Sequence, residues 1–289
     1  MTRARRRVSA FGLTLIELLV VISIVVLLIG ILLPVLGSAR EAACRSSVMS
    51  DIRQASLAHT MYQHDHAGHV PWGYAPVLIN NNLVTVQNTD GGSVYGFPIS
   101  ERFPWRLQRY ISGVWDVLYS QQDPPTRPVA GDSNEFISAY TISLFPSLSL
   151  NTVYVGGHEG PFNGFPGGSP NNDGYVVFYD RDVDVPSELI VFTEVLARNG
   201  DAPLDPQAPD LGLHWSTPPR ANGRRWEPDG NSIKSALPGN LQGLPLSRCG
   251  IGTPTAFFDG HAKTMTATQL DDMRLWSVAA TAADDDPIP

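Results

Sequence analysis

An unbroken run of apolar side chains near the N-terminus most constrains how this chain can fold. From Leu18 to Leu36 no side chain is ionisable, and a helix of that length measures about 29 Å, the thickness of a bilayer's hydrocarbon core. A secretory signal peptide is the alternative, but its apolar core usually has about 7–15 residues and precedes a small-x-small cleavage site. The GSAR sequence after this run matches such a site poorly. We therefore predict a membrane-spanning helix over residues 13–36.

The orientation of this span follows from the charges before it. Arg3, Arg5, Arg6 and Arg7 precede the apolar run, and clustered arginines at a membrane span tend to stay in the cytoplasm. We therefore predict a single-pass protein of the cytoplasmic (inner) membrane, with its N-terminus in the cytoplasm and its C-terminal domain exported.

The segment GLTLIELLVVI, residues 12–22, resembles the N-terminus of type IV prepilins and type II secretion pseudopilins. The resemblance implies a leader peptide over residues 1–12, cleavage by a prepilin peptidase between Gly12 and Leu13, and N-methylation of Leu13. The family most often has Phe directly after the cut, whereas this chain has Leu13. Other pilin or pseudopilin subunits and an inner-membrane assembly platform are the further partners that the resemblance implies.

Glu17 is a carboxylate at the edge of an apolar segment, where a charge costs a few kcal/mol unless it is paired or lies at the interface. Cleavage after Gly12 would create a cationic partner at the amine of Leu13. The pair could form within one chain or with a neighbouring subunit, and the resemblance implies the second. Alternatively, Glu17 only marks the headgroup boundary. Pro34 occupies a position where family members commonly carry a proline that bends or locally melts the helix, although transmembrane helices also tolerate proline in general.

Beyond the span, residues 37–67 continue with helical periodicity. One face carries Ala39, Ala42, Met49, Ile52, Ala55 and Tyr62, and the other carries Arg40, Ser47, Asp51 and Gln54. This amphipathic half of the helix requires a globular partner.

Residues 68–289 are rich in Pro, Gly and short β-like runs, which predicts an exported β-rich domain. We predict a helix over 104–119, long surface loops over 120–173 and 197–250, and strands over 174–180, 188–195, 253–258 and 261–266. Asp259-Gly260 between the last two strands predicts a two-residue type I′ hairpin turn. The fold class is therefore α+β, and the resemblance implies a pilin-like fold with a long helix packed on a small antiparallel sheet.

The C-terminal sequence SRCGIGTPTAFFDGHAK resembles a motif of bacterial pilin-like proteins in which nine residues separate a His from an Asp-Gly pair. Asp259, Gly260 and His261 fit it, but Cys249 stands at the His position. Cys44 and Cys249 are the two cysteines of the chain, and an exported location permits a disulfide between them. Cys44 would equally suit the helix as a small apolar residue, so the pairing stays open.

Two features could bind metal ions. His59, His64, His66 and His69 cluster near the predicted helix end, and imidazole is a common ligand of zinc and copper; their alternative role is to cover the end of the helix. The stretches 171–174 (NNDG) and 180–186 (DRDVDVP) have the oxygen-rich character of calcium loops without matching an EF-hand. We predict no cofactor, with calcium as the alternative.

The sequence carries no motif of a hydrolase nucleophile, a zinc protease, a phosphate loop or a CxxC pair, so we do not expect an enzyme. Without the leader arginines the chain has 16 Lys and Arg against 28 Asp and Glu, which argues against nucleic-acid binding. The expected function is a structural filament subunit of a type IV pilus or a type II secretion pseudopilus. The alternative is a membrane-anchored adhesin or lectin-like module that does not polymerise, with a binding surface drawn from Trp72, Trp105, Trp115, Trp215 and Trp226.

Overall fold

The computed structural model describes residues 15–73, 78–79, 82–88, 92–111, 113–119, 129–157, 175–199, 211–221, 223–236 and 241–287. The chain forms two compact units, Met1–Ala43 and Cys44–Pro289. The boundary lies inside the N-terminal helix, beyond the predicted end of the transmembrane half at Leu36. The fold class is α+β, with one long apolar N-terminal helix and small antiparallel sheets.

The long helix α1 runs from Leu15 to Asp65. It ends where Ala67 and Gly68 both adopt positive φ, at 53° and 84°. The N–H of Gly68 then donates to the carbonyl of Gln63 at 2.8 Å, which satisfies one of the carbonyl groups left over at the helix end.

The remaining described elements are short. The helices are α2 (Phe103–Leu107), α3 (Val114–Leu118), α4 (Glu135–Leu144) and α5 (Ala267–Leu270). The strands are β1 (Leu78–Ile79), β2 (Asn82–Leu83), β3 (Val86–Gln87), β4 (Val94–Tyr95), β5 (Leu148–Leu150), β6 (Ile190–Glu194), β7 (Leu196–Asn199), β8 (Trp226–Asp229), β9 (Ser232–Ser235), β10 (Leu241–Leu244), β11 (Thr253–Phe257) and β12 (Ala262–Met265).

The main sheet has four antiparallel strands in the order β12-β11-β6-β5. Its register shifts between β11 and β6, because Ala256 pairs with Phe192 while Phe257 pairs with Ile190. Val191 is therefore the extra residue of a β-bulge, and the bulge places Ile190 and Phe192 on opposite faces of the sheet.

Both faces of this sheet are buried. On one face, Phe192 and Ala256 share a core cluster with the α1 residues Ile52 and Ala55. On the other face lies a second cluster, made by Ile190, Phe257, Met265, Trp226, Leu270 and Trp276. Burial on both faces explains why the first three residues of β6, Ile190–Phe192, are apolar in succession rather than alternating with polar ones.

The inward face of α1 agrees with the predicted one at Ile52, Ala55 and Tyr62, which are buried. Asp51, predicted on the outer face, is only 9% exposed, so this part of the prediction is wrong. The packed face extends around the helix to include Asp51, because the core contacts reach further around α1 than the apolar residues alone indicate.

The single helix predicted over 104–119 is also wrong. Two short helices, α2 and α3, occupy this region. Gly113 stands at the start of the second with a φ of 73°, a left-handed conformation that a continuous right-handed helix excludes.

Three further predictions fail in the globular unit. The strand expected over 174–180 makes only isolated bridges, Val155 with Val177 and His69 with Tyr179, and a 3-10 turn follows at Asp180–Asp182. The expected loop 120–173 contains α4 and β5, and the expected loop 197–250 contains β7 to β10. These elements are too short or too polar to have a clear periodic pattern.

The hairpin between β11 and β12 exists, but its turn differs from the predicted type I′. The N–H of Gly260 donates to the carbonyl of Phe257 at 3.0 Å, and the N–H of Phe257 donates to the carbonyl of His261 at 2.9 Å. Gly260 has a φ of 91°, whereas among the described residues other than glycine only Ala67 has positive φ. The connection is therefore a three-residue loop that ends in a left-handed glycine.

We expect Gly260→Val to lower the free energy of unfolding by about 1–2 kcal/mol, because a β-branched residue is strained at this φ. A side chain at this position would meet open space. Any loss of stability in this variant would therefore come from backbone strain and not from a steric clash. Thermal melting of the full chain in detergent measures the effect. Gly96→Val is the matched control, since Gly96 also faces open space but has no positive φ. Equal melting points for the two variants would contradict the turn assignment.

Candidate functional site

The first part of α1 presents apolar side chains all around its axis. Every described residue from Leu15 to Arg40 is exposed, and the most apolar 18-residue window has a mean hydropathy of 3.3 with none of it buried. The hydroxyl of Ser23 donates to the carbonyl of Leu19 at 2.8 Å, so this polar group is satisfied within the helix. In the part of the chain that the structure describes, α1 is the one helix with the length and composition to cross a membrane.

Glu17 lies in the first turn of α1 and is exposed. A carboxylate at this end of a helix interacts favourably with the helix dipole. Gly12 and Leu13 lie outside the described residues, so the cleavage and N-methylation site stays a prediction.

Pro34 lies inside α1, and the helix continues on both sides of it. The local melting that the resemblance allowed at this position is therefore absent. The side chains around Pro34 are exposed, so no packing contact within the described chain depends on this residue.

Cys44 and Cys249 form a disulfide, with their Cα atoms 5.5 Å apart and 205 positions apart in sequence. Next to it, Nε of Arg45 donates to the carbonyl of Cys249 at 2.9 Å. Cys249 is 3% exposed, and Cys44 packs against the main core. The position where the family motif has His is thus used here to join α1 covalently to the segment that leads into β11.

The rest of the C-terminal motif forms the tip of the β11–β12 hairpin. The carboxylate of Asp259 accepts hydrogen bonds from the backbone N–H of His261 at 3.1 Å and from its ring Nδ1 at 2.6 Å. Partial burial would raise the pKa of Asp259, but these interactions with His261 outweigh it and lower the pKa. The His261 ring stacks on the Phe257 ring with centroids 4.4 Å apart. Lys263 Nζ lies 4.6 Å from the centre of the Phe257 ring. These contacts hold the turn together.

A buried ion pair beside the disulfide was not predicted. Glu194, at the end of β6, is fully buried, and its Oε1 lies 3.4 Å from Nη1 of Arg248. The backbone N–H of Arg248 donates to the same oxygen at 3.1 Å. Burial raises the pKa of Glu194, and Arg248 opposes that rise. An acidic residue at the end of an apolar strand, in VPSELIVFTE, is the sequence signal that could have identified the pair.

His59 belongs to the core. It is 1% exposed and lies edge-on between Phe192 and Phe258, with ring centroids 5.9 and 5.6 Å away. Burial lowers the pKa of His59 to about 3, so its ring is neutral at physiological pH and packs as an aromatic side chain.

The other three histidines of the predicted cluster make separate contacts. His64 lies 3.8 Å from Asp65, His66 stacks on Tyr62 at 3.9 Å, and His69 stacks on Trp72 at 5.5 Å. In the described ranges, no group of three or more His, Cys, Asp or Glu side chains is arranged to hold a metal ion. The histidines therefore are not brought together as a metal site.

Of the two stretches considered for calcium, 171–174 lies outside the described residues. In 180–186 two of the three carboxylates accept hydrogen bonds from the local backbone. Asp180 accepts from the N–H of Arg181 at 2.7 Å, and Asp182 accepts from the N–H of Tyr179 at 3.0 Å. These bonds stabilise the 3-10 turn.

The described residues thus combine an exposed apolar helix with a globular unit that is crosslinked to the packed half of that helix. The apolar surface of this helix could be covered either by lipid or by other copies of the helix, since an apolar surface of this size is rarely left in water. No family model, no curated protein and no solved structure matches this chain.

Proposed function

We propose that this protein is a structural subunit of a type IV pilus-like or type II secretion pseudopilus filament, with a pilin-like fold. The observation that carries the proposal is α1: one continuous helix whose exposed half is apolar around its whole circumference and whose second half is part of a folded unit. A subunit with such a helix can be stored in a bilayer and then packed helix against helix with other copies, because both surroundings accept an apolar surface.

In this proposal, Glu17 determines how neighbouring subunits align. It is the one ionisable residue in α1 before Arg40, and a negative charge is costly among packed apolar helices. The amine of Leu13 on a neighbouring subunit would compensate that charge and fix the axial offset between subunits. Prepilin peptidase, which creates the amine, and an inner-membrane assembly platform are the proposed partners.

The disulfide supports the proposed location. A bridge between Cys44 and Cys249 forms and persists in oxidising compartments outside the cytoplasm. Together with the arginines before the span, it favours a single-pass protein of the cytoplasmic membrane whose globular unit is exported. The rival proposal, an anchored binding module that does not polymerise, shares this location and differs only in the absence of assembly.

Leader processing tests the proposal directly. In cells with an active prepilin peptidase, we expect mass spectrometry of the membrane fraction to show a chain that begins at Leu13 and carries one methyl group. Gly12→Phe should block this cleavage, because the peptidase recognises the small residue at the junction. Gly37→Phe is the matched control, since a side chain at Gly37 would also meet open space, and it should be processed normally. Retention of residues 1–12 in the parent chain would overturn the proposal.

A further inference from the structure

An open cleft lies beside the end of α1, within the globular unit. Its volume is about 610 Å³, inside the range of about 300–1,000 Å³ that small-ligand sites occupy. Six of its lining residues carry aromatic rings or positive charge: Tyr62, His66, Trp105, Arg106, Arg109 and Tyr110. We call it the α1–α2 cleft, because Tyr62 lies in the last turn of α1, His66 directly follows α1, and Trp105 and Arg106 lie in α2.

The aromatic rings of the cleft hold one another in place. Tyr62, in the last turn of α1, and His66, directly after the helix, stack with centroids 3.9 Å apart and planes 10° from parallel. Tyr110 meets Tyr62 edge-on at 5.9 Å. Trp105 is 2% exposed, and its Nε1 donates to the carbonyl of Ala139 at 3.1 Å. Tyr62 and Trp105 are buried and act as support, while the rings of His66 and Tyr110 are accessible. The accessible rings are therefore preorganised, which lowers the entropic cost of binding a ligand.

Two arginines give the cleft its charge. Nη2 of Arg106 donates to the carbonyl of Ser100 at 2.8 Å, while its Nε is buried without a hydrogen-bond partner among the described residues. Arg109 is exposed and forms no ion pair with any residue that the structure describes. Burial lowers the pKa of Arg106, and Tyr62 opposes this change. A partly desolvated guanidinium binds planar anions such as carboxylates well, because it can donate two parallel hydrogen bonds to them.

Nearby carboxylates do not cancel this charge at the cleft surface. Asp65 hydrogen-bonds with the hydroxyl of Tyr110, and Glu101 is 3% exposed and acts on Arg106 from the protein interior. None of the lining residues in the described chain is acidic. Arg106 and Arg109 are thus the charged side chains that face the cleft, in a protein of formal net charge −8.

We propose that the α1–α2 cleft binds an acidic saccharide, a sugar chain that carries carboxylate groups. Sugars present apolar C–H faces that pack on aromatic rings, and hydroxyl edges that pair with polar groups such as Thr85 and Gln87, which also line the cleft. The carboxylate would pair with the arginines in the two-pronged geometry that guanidinium favours. Because the cleft is open and lined by both polar and apolar side chains, it suits a hydrated sugar chain better than an apolar aromatic ligand.

Isothermal titration of the full chain in detergent micelles tests this, with trigalacturonate as the probe in calcium-free buffer. We expect trigalacturonate to bind and maltotriose, an uncharged trisaccharide, to bind at least about tenfold more weakly, the loss expected for one charge-assisted hydrogen bond. Arg109→Gln should weaken trigalacturonate binding by a similar factor. Because Arg109 is exposed, this variant should fold, and a thermal melt verifies that it does.

Arg53→Gln is the matched control, since Arg53 is also exposed but does not line the cleft, and it should bind trigalacturonate like the parent. His66→Ala should weaken binding by removing one stacked ring. Equal binding of trigalacturonate and maltotriose, no binding of trigalacturonate, or unchanged binding in Arg109→Gln would each overturn the proposal. Tighter binding of adenosine monophosphate than of trigalacturonate would also overturn it, in favour of an aromatic anion. These measurements use unassembled protein, so they do not depend on filament formation.

Discussion

Replacing both Cys44 and Cys249 with alanine is expected to lower the free energy of unfolding by about 3–5 kcal/mol. A disulfide stabilises a protein mainly by restricting its unfolded chain, and the effect grows with the length of the loop that it closes. This bridge joins positions 205 apart, a long loop for a single crosslink. Urea denaturation of the full chain in detergent measures the change. Tryptophan fluorescence reports it, since Trp215, Trp226 and Trp276 are buried in the globular unit.

Reduction provides the control for this prediction. A reducing agent should shift the urea midpoint of the parent chain to that of the double variant, and should leave the double variant unchanged. A third sample, the parent chain with its thiols alkylated after reduction, should behave like the reduced parent. If the double variant instead unfolds at the midpoint of the oxidised parent, the bridge does not stabilise the fold.

Glu17→Ala is expected to abolish contacts between subunits while leaving the globular unit folded. The substitution removes the carboxylate proposed to pair with the Leu13 amine of a neighbour, and it makes the span more apolar, so membrane insertion should persist. Single cysteines introduced at Ile22 or Ile29, which are exposed on α1, should crosslink between subunits in the parent chain. The native cysteines can be retained, because they are already joined to each other.

Glu41→Ala is the matched control, since Glu41 is an acidic residue of the same helix beyond its apolar half, and it should preserve the crosslinks. The melting temperature and the cleavage after Gly12 should be unchanged in both variants. Efficient crosslinking by processed Glu17→Ala subunits would show that the carboxylate is not an assembly contact. The anchored binding module would then be the better account of the chain.

The elements that could be predicted from sequence are those whose pattern repeats over many residues. The helix prediction from Leu13 onward agrees with α1 throughout the described residues, because its apolar run and its later periodicity are both long. The strands over 188–195, 253–258 and 261–266 are confirmed in β6, β11 and β12. In β6 the apolar run Ile190–Phe192 reflects burial on both faces of the sheet. The other two strands are marked by the Asp259-Gly260 turn signal between them.

Other parts of the fold depend on contacts that sequence does not display. The run over 174–180 is as apolar as a strand, yet its described residues, 175–180, pair with other described residues only at isolated bridges. Strand β5 has only three residues, Leu148–Leu150, and is defined by its pairing with β6. The bulge at Val191 reverses which β6 residues face α1, and no local propensity predicts it.

The candidate site residues likewise divide into those visible in the sequence and those that depend on the folded structure. Glu17 was identified because a single charge in an apolar run is conspicuous. The histidines near the end of α1 are close in sequence, but the helix and the following turn direct them to different neighbours, such as Phe192 for His59 and Trp72 for His69. The pair of Glu194 and Arg248 lies 54 positions apart. Glu194 ends β6 and Arg248 directly precedes the disulfide-bonded Cys249, so the two residues meet only in the folded chain.

The crosslink between residues 44 and 249 also has a mechanical consequence. Tension applied between the N-terminal helix and the C-terminal end of the chain passes through the bridge, so the 205-position segment that it closes lies off the load path. The strands and helices within that loop are not peeled apart by the pull. Only the noncovalent contacts of the residues after Cys249, among them the β11–β12 hairpin, bear the load. Rupture under such a pull would therefore begin in the segment after Cys249, while the backbone between the two cysteines is shielded from direct tension.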